Sequence, residues 1–154
     1  MSALLTDLYE LTMAAGYFSA AKHHDIATFE LSVRRLPVHR DFIIVAGLQQ
    51  ALEYLANLRF TSDEIAYLRS LPQFKNAAAE FFDYLAGFRF TGNVFAVPEG
   101  TPMFAGEPIL TLKAPIIEAQ IPETYLLSTL SFQSMIASKA ARCAEAAGGR
   151  AVVT

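Results

Sequence analysis

The sequence predicts a mixed α/β domain, and three stretches predict it. An opening run repeats apolar residues at helical spacing, a second alternates with a period of two, and a late proline-free run of small residues is preceded by a turn-rich region. From Leu4 to Ala21, Leu4, Leu8, Leu11, Ala15 and Phe18 recur on one face of an amphipathic helix in which Gly16 is the weak helix former. After the polar break KHHD, the segment IATFELSVRRLP sets Ile26, Thr28 and Glu30 against Ala27, Phe29, Leu31 and Val33. That is a half-buried strand, stopped by Pro37.

The run DFIIVAG passes into LQQALEYLANL, with Leu48, Leu52 and Leu55 on one helical face, so it reads as strand then helix or as one longer helix. Ser62-Asp63-Glu64 is an N-terminal capping signal for IAYLRSL, which Pro72 ends. NAAAEFFDYLAGF follows as another short helix, with Asn76 as its cap and a stop around Gly87. Then FRFTGNVFAVPEGTPMFAGEPILTLKAP breaks into short extended pieces at Thr91-Gly92-Asn93, Pro98-Glu99-Gly100 and Ala105-Gly106-Glu107-Pro108. Such turn chemistry predicts a small antiparallel sheet. The longest helix starts near Glu123, continues without proline to Gly148-Gly149, and has a thin profile of Ser128, Ser131, Ser134, Ala137, Ser138, Ala141 and Ala144 that lets a neighbour approach closely. RAVVT begins a strand with no sheet of its own, so the chain is expected to be cut within a larger protein.

With 154 residues, 53% apolar and 18% charged, the chain is long enough for one domain with a sizeable core. Twelve phenylalanines and seven prolines exceed what a lone domain of this size needs, which points to surface covered by a partner. The net charge of −3 and the dispersed Lys and Arg lack the footprint of nucleic-acid binding. A single cysteine, Cys143, excludes an internal disulfide, and no stretch approaches a membrane span. The expectation is a soluble cytoplasmic protein.

Candidate chemistry is sparse. No glycine-rich phosphate loop and no Cys/His zinc spacing is present. His23, His24 and His39 fall in polar loops and read as solvated; Arg34-Arg35 reads as a solvated or interface pair at a strand end. Glu99 and Glu107 are explained by their own turns. Lys139 and Arg142 share a helical face, where they meet an anion or simply favour the helix C-terminus. Asp7 and Tyr9, two residues apart, are rotated by about 200° on a helix, so both serve one site only if Asp7 stands at or before the first turn. Asp7 with Glu10 three later also fits a capping arrangement.

Taken in order, LLTDLYELTMAAGYF, FELSVRRLP, VAGLQQALEYLANLRFT, FRFTGNVFAVPEGTPMFAGEPIL, EAQIPETYLL and SKAAR followed by GRAVVT closely resemble the N-terminal part of nicotinate phosphoribosyltransferase. The resemblance covers essentially the whole chain, and the combination of TDLYELTM with the VPEG and GEP turns makes it specific. It implies the α+β N-terminal domain of a type II phosphoribosyltransferase (1–122), followed by a long helix and first strand (123–154) that lead into an α/β barrel truncated here. The implied enzyme joins nicotinate to 5-phosphoribosyl-1-diphosphate, giving nicotinate mononucleotide and diphosphate in NAD salvage. ATP hydrolysis is coupled through a phosphorylated histidine, with Mg2+.

By the same resemblance Tyr9 stacks on the pyridine ring of nicotinate, and similarity to related nicotinamide enzymes places Asp7 at the same site. The opening helix is expected to cross a homodimer interface and complete the neighbouring active site. No metal ligand is identified, the catalytic residues are expected beyond Thr154, and none of the three histidines matches the phosphohistidine motif. A rival reading is a non-catalytic module that pairs with a full-length enzyme. Another, a biotinyl or lipoyl carrier hairpin, requires a lysine at a turn tip, whereas Lys113 falls late in a strand.

Overall fold

The computed structural model describes residues 2–152. Helix α1 (Leu8–Ser19) leads to β1 (Ile26–Ser32), the two-residue β2 (Ile43–Ile44), and helices α2 (Leu48–Asn57) and α3 (Ser62–Ser70). A 3-10 turn at Pro72–Phe74 precedes α4 (Ala79–Ala86), then come β3 (Asn93–Ala96), β4 (Pro102–Met103) and β5 (Pro108–Pro115). The short α5 (Ile116–Gln120) and the 25-residue α6 (Glu123–Ala147) close the order.

The strands form a three-stranded antiparallel sheet, β1-β5-β3, and a two-stranded ribbon, β2-β4. The antiparallel reading of the turn-rich region therefore holds, but the pairing is wider than local hairpins. β1 joins from far away, with Ile26 opposite Pro115, and β4 leaves to pair with β2. Gly92 lies where the chain enters β3. A Cβ there would stand 2.3 Å from the Ala114 side chain and 2.8 Å from the Lys113 carbonyl oxygen, so only glycine permits this approach.

One core gathers α1, α3, α4 and α5 around Phe74, Phe81, Phe82, Leu85, Phe88, Ile117 and Ile121. A second presses Ala51 and Leu55 of α2 and Leu126 and Leu130 of α6 onto Leu110 and Leu112 of β5. Many of the phenylalanines thus form an edge-to-face and stacked aromatic core instead of a partner surface. The outward residues Phe95, Phe104 and Phe132 are exposed.

The thin profile of α6 is used by the β2 backbone. Ser138 Oγ accepts the Ile44 amide at 2.8 Å and Ser134 Oγ accepts that of Ala46 at 3.1 Å, so two serines serve where a strand partner is missing. DFIIVAG resolves as strand then helix, divided by Gly47 at φ +97°. Other expected boundaries shift. α1 starts at Leu8 because a turn at Ala3 and Leu4 and a bend at Thr6 precede it, Thr61 instead of Ser62 caps α3, and Ala78 instead of Asn76 precedes α4. Of the expected strand at 151–154, Ala151 and Val152 have no strand conformation, and Val153 and Thr154 lie outside the described residues.

Candidate functional site

The TDLYE segment meets the PET turn between α5 and α6. Asp7 occupies the N-cap position of α1 with extended backbone angles, φ −74° and ψ 145°, so it lies before the first helical residue. The geometric condition for Asp7 and Tyr9 to address one region is therefore met. The capping reading is not: the Asp7 side chain makes no cap hydrogen bond. Its Oδ2 instead accepts from Thr124 Oγ1 at 3.0 Å, while the Asp7 amide donates to the same hydroxyl at 3.3 Å.

Tyr9 is half exposed, and Leu5, Leu8 and Met13 are exposed near it. Glu10, the next residue, is fully buried. Its Oε1 lies 2.9 Å from Thr124 Oγ1, and its Oε2 contacts Thr6 Oγ1, which also lies 2.9 Å from the Ile121 carbonyl oxygen. Burial is the main force on this carboxyl. With a smaller push from Glu123 and Asp7, it outweighs the hydrogen bonds that favour the charge and pushes Glu10 up to about 7. Burial and then the charges of Glu123, Glu10 and Asp7 also push the Tyr9 phenol above its ordinary value.

The other sequence candidates are placed elsewhere. His23 is not a solvated loop residue: its ring packs on Phe18 at 4.7 Å and on His24 at 4.2 Å, and its Nδ1 is buried without a hydrogen-bond partner. Glu99 is not explained by its own turn, since its Oε1 accepts from the amides of Gly47 at 2.7 Å and Leu48 at 2.6 Å and so caps α2 from across the fold. Glu107 does close its own turn, on the Phe104 amide. Arg142 donates to the His39 carbonyl, which ties α6 to the loop before β2. Lys113 lies inside β5, opposite Thr28 and Asn93, and not at a hairpin tip. Among the described residues, no group of three or more His, Cys, Asp or Glu side chains is arranged to hold a metal ion. No helix among them is long and apolar enough to cross a membrane.

Residues 4–131 match the model of the nicotinate phosphoribosyltransferase N-terminal domain. The chain belongs to the nicotinate phosphoribosyltransferase family. It is 50% identical over 153 residues to a nicotinate phosphoribosyltransferase of Mycobacterium tuberculosis, covering 99% of this chain and 32% of that protein. With the Bacillus subtilis enzyme the figures are 45% over 139 residues, 90% and 28%. The crystal structure of human nicotinic acid phosphoribosyltransferase superposes with a TM-score of 0.88 at 35% identity, over 96% of this chain and 30% of that one. The chain thus spans about a third of the length of these relatives, and the family's α+β N-terminal domain is the fold observed.

The matched span contains Asp7, Tyr9, Glu10 and Thr124. Sequence reasoning picked out the first two and passed over Thr6, Glu10 as a site residue, and Thr124. Nothing local signals Thr124, because its partners are 114 and 117 residues away. The one clue was the polar residues, Thr6, Asp7 and Glu10, set in an otherwise apolar opening.

Proposed function

We propose that this chain supplies the N-terminal domain of a nicotinate phosphoribosyltransferase, the activity that forms nicotinate mononucleotide and diphosphate from nicotinate and 5-phosphoribosyl-1-diphosphate. Tyr9 presents one aromatic wall of the nicotinate pocket, and Asp7 stands beside it. The observation that carries the reading is the family match over 4–131 together with a half-exposed Tyr9 ring at a helix start pinned by Thr124. An electron-poor pyridine ring on a phenol face gains about 0.5–1.5 kcal/mol beyond simple burial. The exposed Leu5, Leu8 and Met13 around that ring support a homodimer in which α1 completes the neighbouring site. In this reading α6 leads into the α/β barrel, which bears the catalytic groups, and the enzyme works in the cytoplasm.

ATP and Mg2+ belong to the proposal only through the family. The donor set of a metal centre is not assembled among the described residues. What this chain's residues do is orient and cover the nicotinate ring.

The test is a phosphoribosyl-transfer assay with nicotinate, ATP and magnesium on two proteins. One is the 154-residue chain, and the other is the Mycobacterium tuberculosis relative with its N-terminal segment replaced by this chain's residues 4–131. The chimera is expected to be active, the short chain inactive, and Tyr9→Ala in the chimera is expected to raise the KM for nicotinate about 3- to 10-fold. An unchanged KM in Tyr9→Ala would remove the pocket wall from the proposal. Transfer by the short chain alone would overturn the placement of the catalytic groups.

A further inference from the structure

Four oxygen–oxygen contacts link the α1 start to the α5–α6 junction. They are Thr124 Oγ1 with Asp7 Oδ2, Thr124 Oγ1 with Glu10 Oε1, Thr6 Oγ1 with Glu10 Oε2, and Thr6 Oγ1 with the Ile121 carbonyl. Each needs a proton between its oxygens, yet the two threonine hydroxyls have only one apiece. With both carboxyls ionised, two contacts would set lone pair against lone pair. One more proton, on Glu10, satisfies a third contact. At Oε1 it donates to Thr124 and frees the Thr124 hydroxyl for Asp7; at Oε2 it donates to Thr6 and frees the Thr6 hydroxyl for Ile121. Asp7 is exposed to water and Glu10 is not, so the proton belongs on Glu10.

We infer that Glu10 is held as a neutral carboxylic acid and acts as a positioning residue, clamping the Asp7–Tyr9 turn to Thr124 until rising pH removes its proton. Its part in nicotinate binding rests on the pocket reading above; the clamp itself does not. Among the described residues, the titratable groups that face Glu10 are Asp7 just before α1, Tyr9 on α1, Glu123 on α6 and Tyr54 on α2, and none of these is a cation. Ionisation therefore places a negative charge in a buried site beside Asp7 and Glu123. Burial, which pushes Glu10 from 4.5 up to about 7, acts in the same direction as the proton count. Because the folded-state value is raised, the contribution to stability is complete below about 4.5 and falls as pH rises through about 7.

The test begins on the 154-residue chain without substrate. Carbon-13 NMR of the glutamate side-chain carboxyls is followed from about pH 4 to 9, with Glu10→Gln used to assign the resonance, and thermal melts are recorded at about pH 5 and 8.5 for both proteins. Glutamine reproduces the neutral acid, with one donor and one acceptor toward Thr124 and Thr6. The expected results are a Glu10 midpoint near neutrality, a wild-type Tm lower by about 5 °C at the higher pH, and a Glu10→Gln Tm that stays flat. A midpoint in the ordinary carboxylate range, or a variant that falls in parallel with wild type, overturns the clamp. Should Glu10→Gln fail to fold, Thr124→Val and Thr124→Ser take its place: the serine is expected to keep the wild-type midpoint and the valine to move it. No movement in the valine variant also overturns the clamp.

A second arm measures the nicotinate KM of the chimera at about pH 6 and 8, on either side of the Glu10 midpoint. It is expected to rise toward the Tyr9→Ala value in wild type and to stay level in Glu10→Gln. A neutral midpoint with no pH effect on KM leaves the clamp and refutes its link to nicotinate. The same midpoint with an unchanged KM in Tyr9→Ala refutes the pocket reading instead.

Discussion

Two helix starts in this molecule share a spacing and use it in opposite ways. At α3, Thr61 and Glu64 form a closed capping box: Thr61 Oγ1 accepts the Glu64 amide at 3.2 Å and Glu64 Oε2 accepts the Thr61 amide at 2.8 Å. At α1, Asp7 and Glu10 stand the same three residues apart, but neither side chain caps the helix. Both turn to Thr124, on an element more than a hundred residues away. The two glutamates titrate in opposite directions as a result. Burial raises Glu64 too, yet hydrogen bonds from Ser2 and from the Thr61 amide and hydroxyl outweigh it and hold that carboxyl below its ordinary value. Glu10 is deeper, faces other acids and rises. An exposed box with donors from Ser2 and Thr61 stabilises the charged form, whereas a buried knot among other acids favours the neutral one.

Replacing Glu10 breaks that contrast most severely. Glu10→Ala removes a fully buried side chain, leaves Thr6 and Thr124 with one partner fewer and opens a void beneath α1. The expected loss is about 2–4 kcal/mol in urea unfolding at about pH 6, where the neutral acid predominates. A loss below about 1 kcal/mol would mean that the knot is incidental to the fold.

The contrast also decides what was legible in the sequence. The α3 start was readable to within one residue because the two residues of its capping box, Thr61 and Glu64, lie three positions apart. The long helix was readable because no proline interrupts 123–147 and Gly148 ends it at φ +57°. Alternation in β1 was equally plain, since Ala27, Phe29 and Leu31 all turn inward. Partners were not readable. Nothing near Ile26 announces Pro115, nothing near Glu99 announces the α2 amides about fifty positions away, and a two-residue β2 leaves no periodicity to detect. At the candidate site, Tyr9 and Asp7 came from motif resemblance, while Thr124 and the burial of Glu10 came only with the fold.

The capping box gives a smaller and simpler response. Thr61→Ala removes the hydroxyl that accepts the Glu64 amide while the helix keeps its core contacts through Ile65 and Leu68. The expected cost is about 1 kcal/mol. Between about pH 5 and 8.5 the variant's Tm is expected to run parallel to wild type, because the α1 knot is untouched. A change in that slope would show that the two helix starts are energetically coupled, which the Ser2–Glu64 contact makes physically possible.

Tyr9→Phe is the mildest change and separates ring from hydroxyl. The ring is half exposed, so this variant is expected to unfold within about 0.5 kcal/mol of wild type. Stacking on a pyridine ring needs the aromatic face and not the oxygen, so in the chimera Tyr9→Phe is expected to keep the wild-type nicotinate KM where Tyr9→Ala loses it. The hydroxyl also contributes a hydrogen bond that favours ionised Glu10, and its removal moves the Glu10 titration upward. A KM in Tyr9→Phe as high as in Tyr9→Ala would shift the role of Tyr9 from its ring to that hydroxyl, and the α1 start would then act on the ligand through its polar knot.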